Sequence, residues 1–347
     1  MKAGEVRILG LGNPLLDLMV KAEGDIYDRY KLKKDDALLA AEHHLPLFDE
    51  VAQNPTTRYA AGGATLNTMR MIKWILQEPH KCTFIGCIAA DEAGERLRNE
   101  CEKLQLMTHF EVTQGEAATG KCAVLLHGKC RSMVTHVGAA ANLTMDHILK
   151  PDTWHSIESA SAYYVAGFAT GTCFEGVLEV AKHARSRGKL FAFNLSSPAI
   201  LQHFKDQMDA IFPYVDILFG NSSEAQAYAE LHELSGQALE NIVLKLASIT
   251  SAKSENPRKR IVLITQGQDP VLLGESGGKE VMHFPVYPVS DEDIVDTNGA
   301  GDAFVAGFLA EYLRGSSIEK AVEEAINAAR YIIQRNGFTL GPRDQYA

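Results

Sequence analysis

Apolar residues along this chain fall into two alternating rhythms. Short runs that are apolar at almost every position read as strands buried on both faces: Val6–Gly12, Thr83–Ile88, Ala162–Val165, Leu190–Asn194, Ile217–Phe219, Ile261–Thr265 and Val271–Leu273. Between them lie stretches of helical spacing such as Phe174–Arg187 and Ser223–Leu234. Strand and helix taking turns predicts an α/β fold with a doubly wound, mostly parallel sheet flanked by helices. Two segments break the rhythm, Leu18 to about Leu39 and about Phe110 to Val137; in the second, Lys121–His127 and Arg131–Val137 read as paired strands joined by Gly128-Lys129. The polar stretch Ser251–Arg260, with Pro257, reads as a surface loop. Ser316-Ser-Ile-Glu319 reads as a capping box before a last helix with the stripe Ile318, Val322, Ile326, Ala329 and Ile333.

Chemistry enters at Asp296-Thr297-Asn298-Gly299-Ala300-Gly301-Asp302. From Asp302 onward Phe304, Phe308, Leu309, Tyr312 and Leu313 recur at helical spacing, and Gly315 ends the run. Gly299, Ala300 and Gly301 then form the first turn, where free N–H groups and the positive end of the helix dipole suit an anion. Asp302 beside them can take a proton from an attacking hydroxyl. Its place at a helix N-terminus predicts a low pKa and a weak base, which a loose phosphoryl-transfer transition state tolerates. An ordinary N-cap with a tight turn is the alternative. Near the N-terminus, the first strand runs into Asn13-Pro14-Leu15-Leu16-Asp17. Ala60-Ala61-Gly62-Gly63-Ala64 leads into a helix with the stripe Leu66, Met69, Ile72, Ile75 and Leu76, and Asn67 on its first turn. Asp17, Gly63 and Asn67 offer acceptors and donors suited to a vicinal diol, and crevices at the carboxyl ends of strands are where open α/β sheets bind ligands.

Together these residues resemble the ribokinase-like, or PfkB, carbohydrate kinases. The Gly62-Gly63 pair with its downstream Asn67 matches the family's first signature, and Asp296 to Gly307 matches its second. Three further stretches suggest the branch that acts on adenosine: Gly12-Asn13-Pro14-Leu15-Leu16-Asp17, Pro213–Asn221, and Ile294-Val295 leading into the second signature. The resemblance covers nearly the whole chain. It implies a ribokinase-like fold with a small α/β lid built from 18–39 and 110–137, the large nucleotide-binding domain being 1–17, 40–109 and 138–347.

The reaction implied is transfer of the γ-phosphoryl group of MgATP to the 5′-hydroxyl of adenosine, a purine-salvage step. Asp302 would deprotonate that hydroxyl, with Gly299, Ala300 and Gly301 holding the phosphoryl charge. Asp17 would grip the ribose with Asn13, Gly62, Gly63 and Asn67. Leu15, Leu39, Cys122 and Phe168 would wall the adenine; packing in the core is the other reading of these four. Asn221 and Glu224 match an element that acts on Mg²⁺ largely through waters, and they also read as a helix cap. Thr265, Gly267, Asn298 and Asn327 match ATP-side positions. Arg131 matches a lid arginine that reaches phosphates, or is a solvated strand arginine. Asp296 matches the start of a monovalent-cation loop, which implies stimulation by K⁺. Ala64 stands where many relatives carry Ser, and Ala169 where many carry a second bulky aromatic, which leaves one hydroxyl contact and part of the adenine wall open.

Composition narrows the alternatives. With 347 residues and 46% hydrophobic content the chain can bury a large core, and its net charge of −10 argues against a nucleic-acid surface. No apolar run is long enough for a membrane span and no signal pattern opens the chain, so a cytoplasmic location is expected, with the nucleus left open. A monomer is the implied state. Six cysteines without a C-x-x-C pair read as packing thiols, and Asn142, Asn194 and Asn221 match glycosylation sequons by chance. Gly115–Cys122 falls one residue short of a phosphate-binding loop, and the run after it reads as a strand, where such a loop needs a helix. Gly10-x-Gly12 lacks the third glycine of a dinucleotide fingerprint. Two rivals stay open: a kinase of this family with another nucleoside or a sugar as substrate, and a non-catalytic nucleoside-binding relative.

Overall fold

The computed structural model describes residues 6–34, 36–77, 82–127, 130–253 and 258–346; the side chains of Cys130 and Asp344 lie outside that description. In chain order the strands are β1 Ile8–Leu11, β2 Leu15–Lys21, β3 Ala37–Leu39, β4 Arg58–Gly62, β5 Cys82–Ile88, β6 Met107–Val112, β7 Lys121–His127, β8 Cys130–His136, β9 Ala162–Ala166, β10 Leu190–Asn194, β11 Ile217–Asn221, β12 Ile261–Gln266, β13 Asp269–Glu275 and β14 Met282–Phe284. Nine of them form a large sheet in the order β14-β13-β12-β11-β10-β9-β1-β5-β6, parallel from β12 to β6 and antiparallel at the β13–β14 edge.

The central strands are buried on both faces, which is why their sequences are apolar runs without alternation. Tyr163 and Val165 of β9 point into one core, and Ala162, Tyr164 and Ala166 into the other. Helices α1 (Ala64–Leu76), α2 (Glu92–Lys103), α5 (Ala300–Leu313) and α6 (Ile318–Ile333) cover the second of these faces; α3 (Phe174–Ser186) and α4 (Ser222–Leu231) cover the first. From β1 the chain moves outward to β5 and β6, then returns to β9 on β1's other side. The strand order therefore reverses at β1 and β9, and a crevice opens beyond their carboxyl ends.

The rhythm-breaking segments form a second sheet of five strands, β3-β8-β7-β2-β4. Its composition corrects the expected boundaries. β4 lies within 40–109 yet pairs with β2, and β2 begins at Leu15 rather than after Asp17. Residues 110–112 close β6 of the large sheet, pairing with β5. Asp17 thus sits in a small-sheet strand. β7 and β8 pair antiparallel as expected, while their junction Gly128-Lys129 lies outside the described residues, as does Pro257. The run after Gly115–Gly120 is a strand, β7, which removes the phosphate-loop reading.

The cap of α6 also shifts by one residue. Ser317 is the N-cap, accepting from Lys320 N–H at 3.3 Å, and Ser316 instead donates to Glu311 at 2.5 Å. Cys82, Cys87, Cys101, Cys122 and Cys173 are buried and form no disulfide; burial pushes the thiols of Cys87, Cys101 and Cys122 up to about 12, so they pack rather than react. Among the described residues no helix is long and apolar enough to cross a membrane.

Helices α5 and α6 meet at Gly307, where a Cβ would lie 2.8 Å from both Ala325 Cα and Ala328 Cβ. Replacing a helical glycine by alanine ordinarily gains about 1 kcal/mol of propensity. Overpacking at a backbone contact costs about 1–3 kcal/mol, so the clash should win. Gly307→Ala is expected to lower Tm in a thermal melt; an unchanged or higher Tm would show that the two helices can part without cost.

Candidate active site

Helix α1 is the element that brings the site together. Its first turn follows Gly62-Gly63, and both glycines are required by geometry. A Cβ on Gly62 would overlap the Asp17 carboxylate, and one on Gly63, whose φ is +95°, would overlap the carbonyl oxygen of Asn13. Asn67, one turn into α1, donates through Nδ2 to Asp302 Oδ2 at 3.0 Å, and Thr68 Oγ1 donates to the backbone oxygen of Asp302 at 3.1 Å. The two glycine-containing signatures, 235 residues apart, thus meet side chain to side chain.

Gly299 stands in the left-handed region at φ +72° and opens α5, where its Cβ would strike the Phe338 ring, whereas a Cβ on Gly301 would meet open space. First-turn amides lack i−4 partners, so the turn of Gly299, Ala300 and Gly301 sets N–H groups beside Asp302, that of Ala300 already reaching Thr297 O at 3.3 Å. A cleft with a cavity volume of about 110 Å³ lies in front of it, lined by Ala64, Phe168, Asn194, Ser196, Phe219, Gly220, Asn221, Glu224, Thr265, Gly301, Asp302, Phe304 and Val305. Asn221 and Glu224 form a reciprocal cap of α4: Glu224 N–H donates to Asn221 Oδ1 at 2.9 Å, and Asn221 Nδ2 donates to Glu224 Oε1 at 2.7 Å.

Asp302 and Glu224 line this cleft, and Asp17 lies close enough to Asp302 to feel its charge. Burial pushes Asp302 up to about 7, with the charge of Glu224 adding to the rise and the Asn67 bond opposing it. Burial likewise lifts Asp17 to about 7 against the pull of Arg70, and Glu224 to about 7 against its bonds from Asn221. The expectation of a low Asp302 pKa is therefore reversed: loss of water around the carboxyl outweighs the helix dipole, and the group is poised as a base near neutrality.

Other expected residues fall into place unevenly. Asn13 bonds to the turn after β9, Nδ2 to Phe168 O at 3.2 Å, and Thr172 Oγ1 donates to its Oδ1 at 2.7 Å. Asp17 stands opposite Cys122 in the small sheet, and Thr135 Oγ1 reaches Cys122 Sγ at 3.5 Å. Leu15 pairs with Gly62, and Leu39, pairing with Thr135, is 62% exposed at the sheet edge rather than packed in the core. Phe168 is also exposed in part, while Cys122 is buried beside Met19 and Val124. Ala169 is buried at 1% exposure, so it belongs to the core and forms no wall of the cleft. Arg131 of β8 forms an ion pair with Asp296 and donates to Thr297 Oγ1 at 3.0 Å, tying the small sheet to the second signature. Asp296 also accepts from Asn298 N–H at 2.8 Å and Gly337 N–H at 3.0 Å. Thr265 lines the cleft, whereas Gly267, on the turn beyond β12, and Asn327, on α6, do not.

Sequence reading missed Asn194 and Ser196. Asn194 was visible only as a chance sequon, yet its Oδ1 accepts from Ser196 N–H at 2.9 Å, which turns its Nδ2 the other way. Ser196 adopts φ +72°, a conformation unusual for a residue with a side chain, at the lip of the cleft. No motif flags such a bend.

The sequence profile of the pfkB family of carbohydrate kinases matches residues 32–344. Adenosine kinase 1 of Arabidopsis thaliana is 37% identical over 339 residues, covering 98% of this chain and 97% of its own. Adenosine kinase of Schizosaccharomyces pombe is 37% identical over 342 residues, covering 98% of each. The solved structure of adenosine kinase from Schistosoma mansoni in complex with 2-fluoroadenosine superposes with a TM-score of 0.94 at 45% identity, covering 99% of this chain and 100% of that one.

The raised Asp302 pKa has a consequence for stability. The folded protein keeps a proton that the unfolded chain, at 3.8, has already lost, so the cost of ionising Asp302 accumulates as pH rises from about 4 to about 7. Asp302→Asn is therefore expected to melt about 2 °C or more above wild type at pH 8, the scale of roughly 1 kcal/mol. The gap should narrow toward pH 5. Thermal melts across that range check it, and a variant less stable than wild type at pH 8 would contradict the burial argument.

Proposed function

We propose that this chain, which belongs to the pfkB family of carbohydrate kinases, transfers the γ-phosphoryl group of ATP to the 5′-hydroxyl of adenosine. The observation that carries this reading is a half-buried carboxylate, Asp302, in the first turn of α5, raised toward neutrality by loss of water and held by Asn67. A base poised near the working pH is what removal of an alcohol proton calls for. The N–H groups of Gly299, Ala300 and Gly301 hold the charge spread over the transferring group. The relatives named above are adenosine kinases, and one further relative, from Anopheles gambiae at 40% identity, is described in complex with a di-adenosine tetraphosphate, which supports a site for two adenosines joined by phosphates.

On the acceptor side, Asp17 takes the ribose hydroxyls. Asn67 joins it: its amide oxygen is buried and has no hydrogen-bond partner among the described residues, which leaves an acceptor for a sugar hydroxyl. Phe168, Leu15 and Leu39 offer apolar surface to the base. On the donor side stand Asn221, Glu224 and Thr265, which line the cleft. Among the described residues no group of three or more His, Cys, Asp or Glu is placed to hold a metal by itself. A Mg²⁺ carried in on the triphosphate, with Glu224 and Asn221 nearby, fits that donor set and supplies charge neutralisation.

Asp302→Asn is expected to lower kcat at least about 10²-fold with little change in adenosine KM. A panel of adenosine, guanosine, inosine, ribose and fructose with ATP tests the substrate. Turnover of a sugar in preference to adenosine, or near-normal kcat in the variant, would overturn the reading.

The small sheet is the natural cover for the site, since Asp17 and Arg131 lie on it. One face of the sheet is packed by Leu18, Val20, Leu125 and Val134, and closing it over a nucleoside should slow local opening of its backbone. Adenosine is expected to slow amide exchange across Ala37–Leu39, Lys121–His127 and Arg131–His136, beyond the residues that touch it. Protection confined to Asn13–Asp17 and Gly62–Asn67 in a hydrogen-exchange experiment would mean a preformed, open site.

A further inference from the structure

The crevice where the strand order reverses is bridged by one side chain, through two hydrogen bonds that the reaction chemistry does not use. β1 ends and the chain passes through Gly12 to Asn13; β9 ends and turns through Gly167–Gly171, the turn that carries Phe168 into the cleft. Asn13 bridges the two. Its Nδ2 lies 3.2 Å from the carbonyl oxygen of Phe168, which can only accept, so the nitrogen must face it. Reversing the amide would set two acceptor oxygens against each other at that distance. The oxygen Oδ1 then faces Thr172, and at 2.7 Å the threonine hydroxyl must donate to it. The competing acceptor for that hydroxyl, Ala169 O, is farther away at 3.3 Å. The backbone of Asn13 has no freedom either, because its carbonyl packs against the bare Cα of Gly63.

We propose that Thr172 is a positioning residue for the acceptor substrate: its hydroxyl locks the Asn13 amide so that Asn13 faces a nucleoside as a hydrogen-bond donor, and it fixes the Phe168 wall beside it. This rests on the nucleoside-kinase reading above. With Oδ1 engaged by Thr172 and one N–H by Phe168, Asn13 keeps one N–H to offer. The group it recognises is therefore an acceptor, a ring nitrogen lone pair or an ether oxygen, and a donor at that position on the substrate meets repulsion. Without the Thr172 hydroxyl the amide is held at its nitrogen end alone and can swing about the Phe168 bond, and an unlocked donor binds less well because its orientation must be fixed on binding.

A purely structural role, stapling the turn to itself through Ala169, predicts something different, and the two can be separated. Thr172→Val keeps the shape and removes the donor. It is expected to raise adenosine KM about 10-fold, with kcat within about twofold and ATP KM unchanged, the size of one well-placed hydrogen bond. Thr172→Ser, which restores the hydroxyl, should return KM to within about threefold of wild type. In an Asn13→Ala background the valine substitution should add no more than about twofold, because the effect runs through Asn13. Should valine prevent folding, Thr172→Ala gives the same comparison with a smaller side chain. An unchanged adenosine KM in a folded valine or alanine variant overturns the inference, as does a full effect that persists without Asn13, or a fall in Tm with both KM values and kcat shifted together. Wild-type protein that turns over no adenosine would overturn the parent reading, whereas active wild type with an indifferent Thr172→Val would overturn this inference alone.

Discussion

Everything at the crevice depends on helix α1 lying almost directly on β1. A Cβ at Gly12 would come within 2.7 Å of Thr65 Cβ, and one at Gly10 within 2.9 Å of Met69 Sδ. The bare strand lets the helix settle, and from that position it makes three links in one turn. Thr65 accepts from Ala166 N–H at 3.0 Å at the end of β9; Asn67 and Thr68 both reach Asp302. The helix is thus bonded to the strand beside β1 and to the helix start that carries the base. Interiors packed to crystal-like density have two arrangements or one, not a continuum. A shift of the helix by a methyl's width would part Asn67 from Asp302 before it cost the fold much else.

The same packing sets the electrostatics. A helix N-terminus stabilises a carboxylate by about 0.3–1 kcal/mol at an exposed site, and up to about 2 in a partly buried one. Removing an ionised carboxylate from water costs several kcal/mol after relaxation. At Asp302 the second effect wins, and Glu224 adds to it across the cleft. The buried Arg70, which donates to Ala61 O at 2.7 Å, moderates Asp17 without overcoming its burial. A protein gains no stability from desolvated carboxyls, two of them lining one cleft and the third, Asp17, near enough to Asp302 to feel its charge. They belong to a site arranged for something other than its own folding energy.

Much of this was legible in the sequence, for identifiable reasons. Runs such as Ala162–Ala166 could be read as central strands because parallel strands covered on both sides have no polar face to disguise them. The second signature could be read because it does not stand alone: a glycine turn before a helical stripe is often an ordinary cap, but here it accompanies Gly62-Gly63 and Asn67. β4 escaped notice because Arg58 and Tyr59 are exposed and Ala-Ala-Gly has little strand propensity; only its partner β2 makes it a strand. Asp302's pKa was misjudged because a sequence shows the helix dipole but not the lost water. Asn194 and Ser196 carry no pattern, since a bend at φ +72° is imposed by tertiary structure.

The two halves of the crevice differ in how they are built, and that difference follows from the fold. On the acceptor side the polar groups are largely engaged with the protein: Asn13 with Phe168 and Thr172, Asp17 against Gly62, Asn67 with Asp302. A ligand there meets groups whose orientation is already fixed, so little ordering entropy remains to be lost on binding. On the phosphate side the recognition element is a helix start, whose donors come from the backbone and exist in any closed helix turn. They select charge rather than shape. A substrate's identity must then be read at the rigid end, between β1, β9 and the small sheet, while the turn of Gly299 to Gly301 serves whatever phosphoryl group is presented to it.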